Sequence, residues 1–396
     1  MSWLDRLNGN IAQGGLTNSK WPESFIRGLY PPVISHGNGC HIYDTNHKKY
    51  IDFVCGLGAN FFGYGNEIIS REVMKHIFNG ANHSFPTIHE IECAEMLKTF
   101  YPWVDRVKWT KTGSDACTAA IKLARAATGR DLILSEAYHG QGDDFISLTP
   151  PAKGIPKRDF IKALKDHEID STVAAVIIEP VITEYSSERI EYLKKLQNDC
   201  KKAGALLIFD EVITCLRFAS HSVAGKFGII PDLMTVGKAI GGGLSLAGVC
   251  GKKEIMDDKQ VFISSTYAGE TWPLIAGRVG MELLRKKSEY SIETLWRHGQ
   301  SFMDKFNAFG GVQMAGYPTR GTFVGSAEER ALFCQEMAKT GVLFHPATWF
   351  FNFKHVEIMD DVLMCVQIVK EQIKAGKCKL AYELPSTPFA AKARGQ

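Results

Sequence analysis

The sequence lacks long hydrophobic runs, blocks of basic residues and a signal peptide. No stretch approaches the roughly 18 uninterrupted apolar residues of a membrane-spanning helix, and the N-terminus lacks the basic-then-apolar order of a secretion signal. The 46 Lys and Arg residues nearly balance the 43 Asp and Glu residues. We therefore expect a cytoplasmic protein that acts on small molecules and binds neither nucleic acid nor membranes.

Paired cysteines and metal-ligand spacings are also missing. The ten cysteines are scattered without a C-x-x-C pair, a pattern typical of small apolar residues in a reducing compartment. His83 and His89 have no partner at metal-ligand spacing, so we expect no metal site. The chain has neither the G-x-x-x-x-G-K-[ST] nor the G-x-G-x-x-G motif, which disfavours nucleotide binding.

The order of the predicted elements indicates an α/β fold. Apolar runs without polar alternation at 173–178 and 205–209 predict strands that are buried on both faces. Predicted helices at 114–128 and 188–203 alternate with such runs, which is typical of a mostly parallel sheet. After about Tyr290 a glycine-interrupted composition predicts a second, smaller α+β domain.

Three strand ends carry polar groups where such sheets bind ligands. Asp210 directly follows the run at 205–209. Lys238 lies among apolar and glycine neighbours that exclude water and favour a nucleophilic amine. Gly113 and Ser114 begin an alanine-rich helix whose first amide N–H groups form an anion site. Taken singly, each also fits a plain explanation: a strand-end acid, a surface lysine and a helix cap.

Together these groups suit pyridoxal 5'-phosphate, a cofactor with a phosphate, a cationic ring nitrogen and an aldehyde. Lys238 would form the Schiff base, and Asp210 would keep the ring nitrogen protonated. Gly113 and Ser114 would bind the phosphate. Each role follows from the charge that the cofactor brings to that residue.

The chain resembles the class III aminotransferases of fold type I, in particular the glutamate-1-semialdehyde aminomutase branch. The similarity spans about residues 39–278. The matching blocks are GCHIYDTNHKKYIDF, KTGSDACTAAIKLARAATGR, EAYHG, IIEPV, LLIFDEVIT and PDLMTVGKAIGGG.

The resemblance implies a fold type I PLP-transferase with a mostly parallel, seven-stranded sheet in a large domain and a smaller α+β domain. The large PLP-binding domain would be residues 66–290, and the C-terminal small domain would be 291–396. The N-terminal segment 1–65 would contribute to the small domain and to the substrate pocket.

The resemblance also implies roles for single residues. Lys238 resembles the Schiff-base lysine and Asp210 the partner of the ring nitrogen. Val212 would pack on one face of the ring, and Tyr138 would stack on the other. His139 is interpreted as structural, because the family moves the proton with the lysine.

Residues of the phosphate site imply a shared active site. Gly113 and Ser114 match the family's phosphate loop. Thr266 matches a threonine that reaches the phosphate from the neighbouring subunit, so we expect a homodimer with active sites at its interface.

The sequence departs from the branch in its substrate residues. The branch binds the substrate carboxylate with a V-N-S-P-V-R segment, whereas residues 16–22 have no arginine in that place, and Lys20 and Arg27 are the candidates to replace it. Glu270 stands where many members have Asn, which favours a polar, sugar-like acceptor. Asn60 and Phe61 are expected to line the substrate pocket, although core packing explains them equally well.

The predicted function is transfer of an amino group from a donor amino acid or amine to an aldehyde or ketone acceptor. The alternative is an aminomutase of the glutamate-1-semialdehyde 2,1-aminomutase type, which returns the nitrogen to the same carbon skeleton. A third hypothesis is a non-catalytic PLP-binding protein. It is disfavoured because such a protein is expected to lack Lys238 or Asp210, and both are present.

Overall fold

The computed structural model describes residues 1–381 and 384, apart from 22–23, 27, 137, 149–151, 157–158, 183–184, 219–220 and 287–288. The chain divides into two compact units. The larger unit is residues 67–292, and the other comprises residues 1–66 and the chain from residue 293 onward. We retain as a proposal the division into 1–65, 66–290 and 291–396, in which residues 1–65 contribute to the small domain and to the substrate pocket.

The strands, numbered along the chain, occur in both units. They are β1 (Ile34–Asn38), β2 (His41–Asp44), β3 (Lys49–Asp52), β4 (Arg106–Thr110), β5 (Leu132–Ser135), β6 (Ile161–Ala163), β7 (Val173–Ile178), β8 (Leu206–Glu211), β9 (Leu233–Val236), β10 (Ala247–Gly251), β11 (Gln313–Tyr317), β12 (Arg320–Val324), β13 (Val342–Leu343) and β14 (Trp349–Phe350).

The helices range from one turn to nearly five. They are α1 (Trp3–Asn10), α2 (Cys55–Gly58), α3 (Glu67–Lys75), α4 (Ile88–Phe100), α5 (Gly113–Thr128), α6 (Asp143–Ile146), α7 (Ser187–Ala203), α8 (Val223–Phe227), α9 (Lys253–Met256), α10 (Thr271–Lys286), α11 (Ile292–Ala308), α12 (Ala327–Lys339) and α13 (Met359–Lys374). No helix in the described part of the chain combines the length and apolar character needed to cross a bilayer.

The larger unit contains a seven-stranded sheet in the order β4-β10-β9-β8-β7-β5-β6. β10 pairs antiparallel with both of its neighbours, and the other pairs are parallel. Every residue of β7 and β9 is buried, which explains their apolar runs. The expected α/β fold with a mostly parallel sheet is confirmed.

Helix α5 packs its small side chains against this sheet. Of the face that the residue spacing predicts, Ala116, Ala120 and Leu123 are buried, whereas Ala127 at its C-terminal end is exposed, so the prediction is correct for the first three positions and wrong for the fourth. Thr112 caps the N-terminus by accepting a hydrogen bond from the Asp115 amide. The cap and the close packing fix the start of α5 on the sheet.

The other unit contains a four-stranded sheet, β1-β2-β3-β13, and a three-stranded sheet, β11-β12-β14. β2 and β3 pair antiparallel as a hairpin. Helix α11 was not predicted, because a glycine interrupts its sequence. This residue, Gly299, lies inside the helix because the Pro318 carbonyl oxygen occupies the place where its Cβ would be.

The structure corrects the position predicted for two acidic residues. Asp210 and Glu211 lie within β8 and are buried, rather than following the strand into a crevice. Glu211 accepts hydrogen bonds from the Val223 amide at 2.9 Å, the Ala224 amide at 3.0 Å and the Thr214 hydroxyl at 2.8 Å. It therefore anchors the first turn of α8 to the sheet.

Glu211 makes folding depend on pH. Burial raises the pKa of Glu211 from 4.5 to about 7 despite these three hydrogen bonds. The folded protein thus keeps a proton that the unfolded chain releases, so this group destabilises the fold as pH rises from about 4.5 to about 7. We expect Glu211→Gln to flatten that dependence by up to about 3 kcal/mol, measured by urea unfolding at about pH 5 and about pH 7.5.

The exposed Glu254→Gln serves as the control, because Glu254 lies on the surface of α9. Parallel pH dependence of the wild type and Glu211→Gln would contradict the role of Glu211.

Candidate active site

The Asp210 carboxylate is buried and held by three donors. Nδ1 of His139 donates to Oδ2 at 2.8 Å. The Thr235 hydroxyl and the Val212 amide each donate to Oδ1 at 3.1 Å. Asp210 is 7% exposed and His139 is 1% exposed, so these bonds are shielded from water and the carboxylate is fixed in one orientation.

The carboxylate remains ionised in this interior position. Burial by itself would raise the pKa of Asp210. The hydrogen bond and charge of His139, the Val212 amide and the Lys238 ammonium outweigh burial and hold that pKa below its ordinary value. Asp210 is therefore a permanent anion that suits a cationic N–H donor.

Lys238 is separated from β9 by Gly237 and begins a short 3-10 helix, Lys238–Gly241. Its φ of +46° lies in the left-handed region, which is strained for a residue with a side chain. The side chain is partly buried, and its charge acts on Asp210. Strained backbone of this kind is concentrated at functional sites.

The N-terminus of α5 meets two other loops in close contact. A Cβ at Gly113 would lie 2.7 Å from Cγ1 of Val212, and a Cβ at Gly140 would lie 2.6 Å from Cα of Ser114. The Gln141 amide donates to the Ser114 hydroxyl at 3.0 Å. Only glycine fits at these two positions. The amides of Gly113 and Ser114, at the start of α5, are the groups that would bind an anion here.

Tyr138 belongs to the same loop as His139. Its ring is 40% exposed. Burial of the rest, together with the negative charge of Asp210, raises the pKa of its phenol. Tyr138 therefore lies within electrostatic range of Asp210, while its stacking on a cofactor ring stays a prediction.

The structure thus brings together Gly113, Ser114, Val212 and Asp210 with the segments that carry Tyr138 and Lys238. Thr266 is not among them, because it lies exposed in the loop before α10. No cluster of three or more His, Cys, Asp or Glu side chains suited to a metal occurs in the described ranges.

The predicted substrate residues have other environments. The Phe61 side chain is fully buried and packs against Phe62 and Phe353, as a core residue does. The Asn60 carbonyl accepts a hydrogen bond from Nδ2 of Asn352 at 3.1 Å. These residues belong to the unit formed by 1–66 and the chain from 293 onward, and their substrate role stays a prediction.

Three other residues are candidates for substrate binding on the basis of the sequence. Glu270 pairs with Lys111, whose Nζ lies 2.5 Å from Oε2. Lys20 is exposed at the end of a short 3-10 helix, Asn18–Lys20. Arg27 lies outside the described residues.

Sequence reasoning missed the two side chains that hold Asp210. His139 was interpreted as structural, and Thr235 was treated as part of an apolar run. A hydroxyl inside a strand buried on both faces is a usable signal, because it must find a buried partner. His139 gave no comparable signal, since its contact depends on the path of a loop.

Comparisons with known proteins agree with this arrangement. The model of the family described as aminotransferase class-III matches residues 27–162 and 156–353. The glutamate-1-semialdehyde 2,1-aminomutase of Ruminiclostridium cellulolyticum is 34% identical, over 66% of this chain and 67% of that protein.

Solved structures show the same fold. An omega-transaminase from Sphaerobacter thermophilus is 25% identical with a TM-score of 0.79, covering 93% of this chain and 97% of that chain. The PLP internal aldimine form of the FumI protein of Sphingopyxis sp. MTA144 has a TM-score of 0.87 at 22% identity, covering 96% and 97%. The expected fold type is confirmed.

The residues fit the pyridoxal phosphate expected from the sequence. Gly113 leaves space beside Val212 that a Cβ would fill, and the amides of α5 suit a phosphate. The buried Asp210 anion suits a protonated ring nitrogen. Lys238 supplies an amine within electrostatic range of Asp210.

We expect His139→Leu to weaken binding of pyridoxal phosphate to the apo-protein by about tenfold. Without the His139 donor the pKa of Asp210 rises, and protonated Asp210 no longer attracts the cationic ring. The loss should therefore be larger at about pH 6 than at about pH 8, as measured by absorbance titration.

His139→Asn is the matched variant, because its side-chain amide retains an N–H donor. It should recover most of the affinity. Equal losses in both variants at both pH values would show that His139 only fills space.

Proposed function

The chain belongs to the class-III aminotransferases, whose cofactor is pyridoxal phosphate, and we propose that it moves an amino group from a donor amino acid or amine to an aldehyde or ketone acceptor. The observation that carries the proposal is the buried Asp210 anion, held by His139 and Thr235 within electrostatic range of Lys238. An ion of this kind is costly to bury unless a charged ligand uses it.

The cofactor supplies, when bound, an aldehyde that takes up the amino group and a protonated ring that accepts electrons from the substrate carbon. Asp210 keeps the ring nitrogen protonated, and His139 and Thr235 keep Asp210 in place. Val212 and Tyr138 flank the ring. Gly113 and Ser114 hold the phosphate through the first-turn amides of α5.

Nζ of Lys238 has two tasks in this proposal. With pyridoxal phosphate bound, it would hold the aldehyde carbon of the cofactor. After a substrate amine had displaced it, it would serve as the base that moves a proton between the substrate carbon and the cofactor.

An intramolecular amino transfer is the second candidate, because the Ruminiclostridium relative is named as an aminomutase. Residues 16–22 have no arginine to bind a substrate carboxylate, which favours the aminotransferase. A sugar-like acceptor is favoured only if the negative charge of Glu270 is available to the substrate. Lys111 neutralises that charge, so the acceptor class is left open between aldehydes and ketones of any polarity.

The test is the visible absorbance of the purified holoenzyme with a panel of amino donors. For an aminotransferase, one donor should bleach the cofactor band and a keto acid should restore it. Lys238→Ala should lower turnover by at least about a thousandfold, because the group that moves the proton is lost.

Lys195→Ala is the control, since Lys195 is exposed on α7 and pairs only with Asp199 among the described residues. Product formation from a single amino compound without any keto acid would favour the aminomutase. A holoenzyme that no donor bleaches, or a fully active Lys238→Ala, would overturn the proposal.

We also propose a homodimer with active sites at its interface, as the family resemblance implies. The larger unit exposes apolar side chains that water would hydrate poorly in a monomer: Phe78 is 97% exposed and Phe85 82% exposed. Phe262 and Tyr267, on either side of Thr266, are also exposed. A second copy covering this surface would shield them and receive Thr266.

We expect light scattering to give a dimer mass for the wild type and a monomer mass for the double variant Phe78→Glu, Ile88→Glu. Charged side chains at these positions would lose their hydration when the partner covers them, and that cost disfavours the dimer. Val324→Glu, on an exposed residue of β12, should stay dimeric. A monomeric wild type, or a dimeric double variant, would contradict this surface as the interface.

A further inference from the structure

An ion pair joins the phosphate cradle to the loop before α10. Lys111 lies between the end of β4 and Thr112, which caps α5. Glu270 immediately precedes α10. Nζ of Lys111 and Oε2 of Glu270 are 2.5 Å apart, and the two side chains are 16% and 24% exposed. This pair is therefore better shielded from water than an ordinary surface pair.

Backbone contacts hold both partners in place. The Ser245 hydroxyl donates to the Lys111 carbonyl at 2.7 Å, and the Glu270 amide donates to the Tyr267 carbonyl at 3.1 Å. The next residue, Thr271, donates its amide to the Ala81 carbonyl at 2.8 Å. The pair is thus set by two fixed loops rather than by two flexible side chains.

The pair controls the charge beside the expected phosphate. Lys111 is two residues from Gly113, so their Cα atoms are at most about 7 Å apart. The one acid of the first turn, Asp115, already accepts hydrogen bonds from the amide and hydroxyl of Thr112. Without Glu270, the charge of the Lys111 ammonium would no longer be compensated by its paired carboxylate.

We propose that Glu270 sets the anion affinity of the cradle by masking the charge of Lys111, so that amides and one hydroxyl, rather than a lysine, bind the phosphate of the cofactor. This proposal rests on the proposed function. It assigns Glu270 a partner within the protein, in place of the direct contact with substrate that the sequence predicts.

If Glu270 masks Lys111, removing either charge should change anion affinity, and the two changes should be opposite in direction. Glu270→Gln exposes the Lys111 charge and strengthens binding of any anion at the cradle, whereas Lys111→Met leaves the Glu270 charge and weakens it. A unit charge about 8 Å from a phosphate, at an effective dielectric constant of about 40, changes affinity by about tenfold. The change should shrink as added salt screens the charge.

The test uses the apo-protein and two probes, inorganic phosphate and pyridoxal phosphate. Their dissociation constants are measured by calorimetry and by absorbance. We expect Glu270→Gln to lower both constants by about tenfold and Lys111→Met to raise both by a similar factor. The double variant Lys111→Met, Glu270→Gln and the charge swap Lys111→Glu, Glu270→Lys should both return close to the wild type.

The matched control is Asp257→Asn, which breaks the exposed Arg106 pair at the other end of β4 and should leave both constants unchanged. A pair that only holds the loops together would make both single variants bind more weakly, and that result overturns the proposal.

The same experiment separates this proposal from the proposed function. If the wild type binds neither probe, the cradle itself is wrong and both proposals fail. If it binds both probes and the two single variants do not shift affinity in opposite directions, only the masking by Glu270 fails.

Discussion

The negative charge of Asp210 inside the sheet is the constraint that organises the larger unit. A carboxylate there is stable only if donors surround it, and they come from separate elements: Thr235 on β9, His139 in the loop after β5, and the amide of Val212. Asp210 lies directly opposite Thr235 in the register of β8 and β9. A slip of one residue between these strands would move the hydroxyl to the other face of the sheet.

The charges that surround the expected cofactor therefore differ between its ring end and its phosphate end. At the ring end a single anion is buried and its charge is kept for the ligand. At the phosphate end the charges of Lys111 and Glu270 compensate one another, and partial charges of backbone amides are left for the ligand. This division lets one site distinguish the cationic end of a molecule from its anionic end without a large net charge.

Local sequence patterns predicted the parts of the fold that depend on neighbouring residues. The alanine spacing of α5, the apolar run of β7 and the glycine that ends α7 are examples, and their observed bounds agree with the prediction to within one residue. The motifs also selected Asp210 and Lys238, because a charged group among apolar neighbours is unusual. Helix α11 was missed, since Gly299 is explained only by the approach of Pro318, which lies in a different element.

The side chains that tune the site were harder to predict for the same reason. His139 contacts a residue 71 positions away and Lys111 one that is 159 positions away, and neither distance leaves a periodic trace in the sequence. Such contacts depend on how loops cross the end of the sheet. Resemblance to a family helps only where the family has the same residue, which is why Glu270 was assigned to the substrate rather than to Lys111.

The left-handed backbone at Lys238 has an evolutionary consequence. Glycine would relieve that conformation by about 1 kcal/mol, so stability and the catalytic role proposed for Lys238 favour different residues at this position. Under that proposal, a mutation to glycine yields a more stable but inactive protein, and lysine is retained only while turnover is under selection. Position 238 would then indicate whether a divergent homologue still works as an enzyme.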